Sequence, residues 1–519
     1  MPLVSEPFVR KKTAAHKEKA AISTPSRLQH LAGATGILLA AQILGAVLQL
    51  FSLRTVQDAL SKSANGEFFW VQQVSMFVYF IFVEIGMNAV ATRLVVVAHE
   101  ADNRRERIIT SFFKLRFLLF CAATLLLLGY TALFVPMAVQ QMFVYALSSL
   151  FSARSLMLRS VLELQHRAQN FQLLPAFTTV LDTVLFAAFV AADRASLTPL
   201  RVMFWLFCSS LPGFLVMLLA RQQWKMLWNI PFEWAIAREL VREALPIFST
   251  ALLLQIQDKA DTFMLDFFYG KEAVGIYGAS VRVAAQSATL LMILPTVIAP
   301  VASALQTSNL AQCKRYVLEG FSLTILVATL IASGITVLIP FVIFMTAGAK
   351  YTHNVLEFTL SAWSIPLSMI VAYTLALGIA LGEQRKLLGM FWGLCITSLL
   401  CNLAITPHWG TSGALACKIL ANAMGAILGI RVLHRFMGEK AFGQALTRLS
   451  VVFCVMLSLS LLMQYCTERA SFLLSLPRAF HVFLLGISIS AAFVVVCFML
   501  GILSKERIHF LRSLLQKNA

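Results

Sequence analysis

Apolar runs of about twenty residues, the length that crosses the hydrocarbon core of a bilayer, follow one another along nearly the whole chain. Fourteen are predicted as helices: 33–53, 68–90, 117–136, 139–158, 173–192, 202–220, 244–267, 274–304, 319–346, 355–381, 388–406, 412–430, 449–466 and 480–503. The pattern predicts an all-α polytopic membrane protein. One stretch departs from it. Between Pro246 and Ser303 the apolar sequence is interrupted by Gln255-Ile-Gln-Asp-Lys-Ala-Asp261, then by Gly275-Ile-Tyr-Gly278, and it carries a single Arg282. Ionisable groups inside a span are costly enough to mark a pathway or binding site by default.

Composition supports the membrane reading. Hydrophobic residues make up 59% of the chain and charged residues 13%, against roughly 25% charged in soluble domains. The mean hydropathy is +0.80. A chain this apolar needs lipid as its solvent.

Charge then assigns sides. Most of the 42 basic residues fall in alternate loops, as the positive-inside rule requires. The basic set runs from the N-terminal arm through Arg93–Arg116, Arg154–Arg167, Arg221–Arg242, Lys314 with Arg315, Arg385 with Lys386, and Arg431–Arg448 to the tail. The opposite loops hold only Arg54, Lys62, Arg194, Arg201, Lys271, Lys350, Arg469 and Arg478. Both termini are therefore expected in the cytoplasm. The net charge of +18 reflects topology and attraction of the inner face to anionic membrane lipids, and no nucleic-acid partner is implied. The nine cysteines are scattered and form no C-x-x-C, so neither a disulfide framework nor a metal site is expected.

Residues 1–32 form a basic, polar arm expected to be disordered. An internal repeat aligns Gly66 with Gly275 and places the first helix on the seventh. It divides the chain into an N-lobe at 33–222 (helices one to six), a cytoplasmic linker at 223–243 and a C-lobe at 244–436 (helices seven to twelve). Residues 437–519 then hold two appended helices and a cytoplasmic tail. Repeats of this kind occur in secondary transporters, with the substrate site between the halves. The outer loops are short, and no H-E-x-x-H, G-x-S-x-G or Walker signature occurs, so no catalytic residue and no cofactor is expected.

On a helical wheel Gln255, Asp258, Lys259, Thr262 and Asp266 share an arc of roughly 100°, with Asp261 just outside it. That face requires water or counter-charge. Lys259 and Arg282 are expected at similar depth and are candidate ligands for an anionic headgroup, with Lys418 as a third. Asp258, Asp261 and Asp182 are candidates for ion coupling or charge pairing, and Gln42, Gln49 and Gln255 for lining a cavity. The charges also admit a plainer role, neutralising one another and holding helices together. Pro246, Pro295 and Pro300 are expected to kink helices seven and eight. Trp70, Trp205, Trp363 and Tyr351 are expected to be interfacial anchors.

Five segments, in order along the chain, resemble the bacterial polysaccharide (O-antigen or Wzx-type) flippases of the MOP superfamily, relatives of the lipid II flippases and MATE exporters. They are Glu84-Ile-Gly86 with Arg93; Lys259-Ala-Asp261 with Gly270-Lys-Glu-Ala-Val-Gly-Ile-Tyr277; Gly348-Ala-Lys-Tyr351; Leu377 to Lys386; and Asn402 to Pro407 with Gly410-Thr-Ser-Gly-Ala414. The resemblance implies transport of an isoprenoid (undecaprenyl) pyrophosphate-linked oligosaccharide from the inner to the outer leaflet of a bacterial cell membrane by alternating access. It also implies a polysaccharide polymerase and glycosyltransferases as partners. A MATE-type small-molecule antiporter and a membrane enzyme of glycan assembly are the alternatives, opposed respectively by the two extra helices and by the short outer loops.

Overall fold

The computed structural model describes residues 52–84, 104–135, 138–149, 173–218, 229–381, 384–437, 439–469 and 478–500, with scattered positions between 44 and 95 besides. The N-terminal arm, Gln42, the first part of the linker and the tail lie outside the described residues. Those described are almost entirely helical, with no strand among them. The helices are α1 (Lys62–Tyr79), α2 (Arg104–Phe134), α3 (Leu173–Ala192), α4 (Pro199–Leu218), α5 (Trp234–Leu291) and α6 (Ile293–Ser308). They continue as α7 (Leu310–Val337), α8 (Ile339–Thr346), α9 (Val355–Ala380), α10 (Gln384–Met437), α11 (Glu439–Arg469) and α12 (Arg478–Met499).

Seven helical runs among the described residues are long and apolar enough to cross a membrane. Two of them double back. Within α5, Gly270 takes φ 74°, a left-handed conformation that costs glycine little and other residues more. Asp261 and Tyr277 would lie about 24 Å apart along one straight helix, yet their side chains hydrogen-bond at 2.6 Å. The chain therefore turns sharply at Gly270, and α5 is an antiparallel pair, α5a (234–269) and α5b (271–291). Gly410 in α10 has φ 55° and does the same. A Cβ on Gly393 would lie 2.6 Å from a Leu428 methyl, although a straight helix would separate them by about 50 Å. The halves of α10 are α10a (384–409) and α10b (411–437).

Sequence reading left a loop of several residues between helices seven and eight, and another between eleven and twelve. One glycine makes each turn. Helix seven also begins earlier than expected, at Trp234, so much of the linker is helical. The interruption between α5 and α6 falls at Met292, just before Pro295, whose missing N–H and ring disturb the preceding turn. No interruption occurs at Pro246 or Pro300.

The interfacial-anchor assignment needs correction. Trp70, Trp363 and Tyr351 are buried. Trp205 stacks on Phe189 and donates to Asp193 at 2.9 Å across the α3–α4 turn. There, hydrogen bonds from Ser196 and Trp205 hold the Asp193 carboxyl below its ordinary value. Large aromatics presented outward include Phe267, 81% exposed, and Trp409, 70% exposed, beside the two glycine turns.

Helices α5, α7, α9 and α10 pack on one another, α11 packs on α7, and α1 packs on α5. The repeat-related glycines meet at that last contact. A Cβ on Gly66 would fall 1.7 Å from the Lys271 carbonyl oxygen, and one on Gly275 would fall 2.1 Å from that of Lys62. Both obstacles are backbone, so α1 and α5b would have to separate. Gly66→Ala and Gly275→Ala are each expected to destabilise the protein by about 1–3 kcal/mol, the usual cost of overpacking. Thermal unfolding of the purified variants checks this, and an unchanged melt would show that the two helices are not closely held.

Candidate functional site

Two polar clusters lie among the apolar helices. The first forms where the turn at Gly270 lays α5b against α5a and α10 closes over both. Asp261 is 0% exposed. Its carboxylate accepts from the Tyr277 hydroxyl at 2.6 Å and from Asn402 Nδ2 at 2.7 Å. Lys418 Nζ stands 3.8 Å away. Thr406 donates to Asn402 Oδ1 at 2.8 Å, which turns the amide nitrogen toward Asp261. Asp258, one turn earlier, has a side chain 47% exposed and accepts from both ammonium groups, Lys259 at 2.7 Å and Lys418 at 3.2 Å. Two carboxylates and two ammoniums give no net formal charge. Neutrality with hydrogen bonding is the condition under which charges persist away from water.

The second cluster surrounds Arg282 on α5b. Its guanidinium lies 4.8 Å from the centre of the Phe69 ring and 5.3 Å from that of Phe68, and it donates to Gln72 Oε1 at 2.9 Å. A C-lobe cation is thereby held on N-lobe helix α1. Its Nη1 is buried with no hydrogen-bond partner among the described residues. A cavity of about 210 Å³ opens here, lined by Gln49, Gln72, Asp182, Ser209, Arg282 and Gln286 together with apolar neighbours. Amide and hydroxyl groups and one carboxylate, Asp182, share the cavity with the guanidinium, which can bind phosphate oxygens through paired N–H groups.

One set of contacts joins and seals the halves, and another ties the linker to the N-lobe. Opposite the basic loops, Lys350 donates to the carbonyls of Asp58 at 2.6 Å and Leu60 at 3.0 Å. Asn65 donates to the Tyr351 hydroxyl at 3.0 Å and to the Gly275 carbonyl at 3.4 Å. Gly348, at φ 87°, leaves room for the Asp58 carboxylate, which a Cβ would meet at 1.7 Å. On the basic face, the start of α5 is tied to α2 by Arg107–Glu233 at 3.2 Å and Arg104–Glu239 at 3.6 Å. Lys350→Ala removes two charge-assisted bonds of the seal. Labelling of a Gln72→Cys reporter by an impermeant maleimide from that face is expected to quicken about tenfold. An unchanged rate would mean that Lys350 does not hold the seal.

The candidate residues divide unlike the sequence expectation. Lys259 and Arg282 are not a pair: Lys259 belongs to the acidic cluster, and the cavity at Arg282 does not include it. Lys418 also joins Asp258 and Asp261. Asp182 and Gln49 line the cavity with Arg282. Gln255 is half-buried on α5a and lines neither site. Gln42 lies outside the described residues. Sequence reasoning missed Tyr277 and Asn402, although both sit in quoted motifs, because nothing in an apolar helix says which hydroxyl or amide will face a carboxylate. Gln72 was missed for the same reason.

No protein-family model and no curated protein matches the sequence. Solved structures do match the fold. The lipid II flippase MurJ in an inward closed conformation is similar over 88% of this chain and 98% of its own, at 13% identity and TM-score 0.64. An inward-facing multidrug resistance MATE family transporter of the MOP superfamily is similar over 80% of this chain and 95% of its own, at 14% identity and TM-score 0.60. A MOP superfamily transporter from Pyrococcus furiosus is similar over 83% and 99%, at 15% identity and TM-score 0.57. The chain has the fold of the MOP-superfamily transporters.

Proposed function

We propose that this protein is a flippase that carries an isoprenoid pyrophosphate-linked oligosaccharide from the cytoplasmic to the outer leaflet of a bacterial cell membrane, for polysaccharide assembly. The observation that carries the reading is Arg282, a guanidinium with a buried nitrogen lacking a partner, in an amide-lined cavity between the halves. Pyrophosphate offers the oxygens that such a fork binds, and the sugars offer hydroxyls to Gln49, Gln72 and Gln286. The isoprenoid chain stays in lipid while the headgroup crosses.

Transport follows by alternating access: the basic face admits the headgroup, and opening the Lys350–Asp58 side releases it. The acidic cluster supplies the element that answers occupancy. Asp258 is shared by two ammoniums and half exposed, so a phosphate or a proton arriving from the cavity competes for its partners. The fold alone also suits a small-molecule antiporter. Against that reading, two further helices, α11 and α12, follow α10.

Deleting the gene tests the reading. Lipid-linked glycan is expected to accumulate on the cytoplasmic leaflet. Sensitivity to small toxic molecules without that accumulation would replace the flippase with an antiporter.

A further inference from the structure

A second site, remote from the transport cavity, lies on the basic face where α7 begins and α9 and α10b end. A cavity of about 210 Å³ is lined there by Lys314, Thr374, Leu377, Leu433, Arg435 and Phe436, among others. Among the described residues no carboxylate lines it, and neither Lys314 nor Arg435 has an ion pair. Lys314 is half-buried and Arg435 exposed on the same cavity, so both cations are open to an anion at the level of the headgroups.

Depth fixes the kind of anion. The 28 residues of α7 span about 42 Å, more than the roughly 30 Å hydrocarbon core. Its first turns, with Lys314, therefore reach the headgroup region. Arg435 is in the last turn of α10b, at the same face. Behind these cations the lining is apolar: Leu377 and Leu433 are buried, and Leu310 at the rim is exposed. A phosphate at the cations with acyl chains along the apolar side matches that polarity. Because α7, α9 and α10 pack directly on one another within one half, rocking of the halves does not open this cavity into the pathway. Its occupant is resident and not cargo.

We propose that Lys314 and Arg435 hold the phosphate of an anionic glycerophospholipid from the leaflet on the basic face. The site would tie that leaflet's charge to the half of the protein containing Asp258 and Asp261. The proposal is independent of what the protein transports.

The test is native mass spectrometry of the full-length protein from nanodiscs of phosphatidylcholine containing phosphatidylglycerol of matched chains. Phosphatidylglycerol is expected to remain bound in preference to phosphatidylcholine. Each of K314A and R435A should weaken that retention about fivefold and the double variant about thirtyfold, following the usual contribution of each basic group near an anionic surface. The charge-preserving pair K314R/R435K should restore it, which separates binding from misfolding. Equal retention of both lipids by the unaltered protein, or undiminished phosphatidylglycerol on the double alanine variant, would overturn the site. Displacement of phosphatidylglycerol by an equimolar polyprenyl pyrophosphate would overturn the choice of ligand.

Discussion

Asp261→Ala is expected to destabilise the protein by about 3–5 kcal/mol, the range for removing one member of a buried charge pair, and to abolish transport. The Asp261 carboxylate is the acceptor for Tyr277 and Asn402 and lies 3.8 Å from Lys418. Without it, the buried Tyr277 hydroxyl and one N–H of the Asn402 amide, whose other partner is the Ser398 carbonyl, lose their acceptor, and the ammonium loses half of its counter-charge. The cost of leaving a buried donor unsatisfied exceeds the net gain of making the bond. The double variant Asp261→Ala/Lys418→Ala should therefore recover part of the lost stability, because it removes the stranded charge as well. Denaturant unfolding of both variants in micelles checks the order. A double variant less stable than the single one would mean that Lys418 is held by Asp258 alone. Asp261→Asn preserves shape and tests function separately; full transport by that variant would exclude Asp261 from coupling.

Arg282→Ala is the second large effect. Charge-assisted hydrogen bonds contribute about 1.5–3 kcal/mol each, so headgroup affinity should fall about 10–100-fold, with glycan export lost at native expression. Arg282→Lys should recover only part, since an ammonium lacks the planar fork and stacks less well on Phe68 and Phe69. Lys259→Ala serves as the contrast. Its ammonium pairs with a half-exposed Asp258 that Lys418 also holds, so export should drop much less. Equal losses in the Lys259 and Arg282 variants would return the two to one headgroup site.

The architecture was legible because lipid imposes a simple code. Backbone groups must be satisfied within each span, so apolar length alone marks helices, and the Lys/Arg bias orders the loops. Gly66 and Gly275, aligned as equivalent positions of a repeat, both lie where backbones touch and leave no room for a side chain. The charged face of the seventh helix was also legible, as period 3.6 places its members. Distances between helices were not. Which ammonium faces which carboxylate depends on the sharp turns at Gly270 and Gly410, and a turn of one residue in place of several shifts the facing of everything after it. Lys259 and Arg282, expected at similar depth as headgroup candidates, accordingly contact different partners, Asp258 and Gln72. Trp70, Trp363 and Tyr351 misled for a related reason. An aromatic near a span's end suits the interface, but packing between the halves can bury it equally well.

The central claim is that the cavity at Arg282 moves a pyrophosphate-linked glycan lipid. Purified protein in proteoliposomes, loaded with a fluorescent polyprenyl-pyrophosphate oligosaccharide and probed with an impermeant quencher, measures this directly. Translocation by the unaltered protein is expected, with near-complete loss in Arg282→Ala and partial recovery in Arg282→Lys. Translocation at the same rate in Arg282→Ala, or none by the unaltered protein while it extrudes cationic dyes, would contradict it.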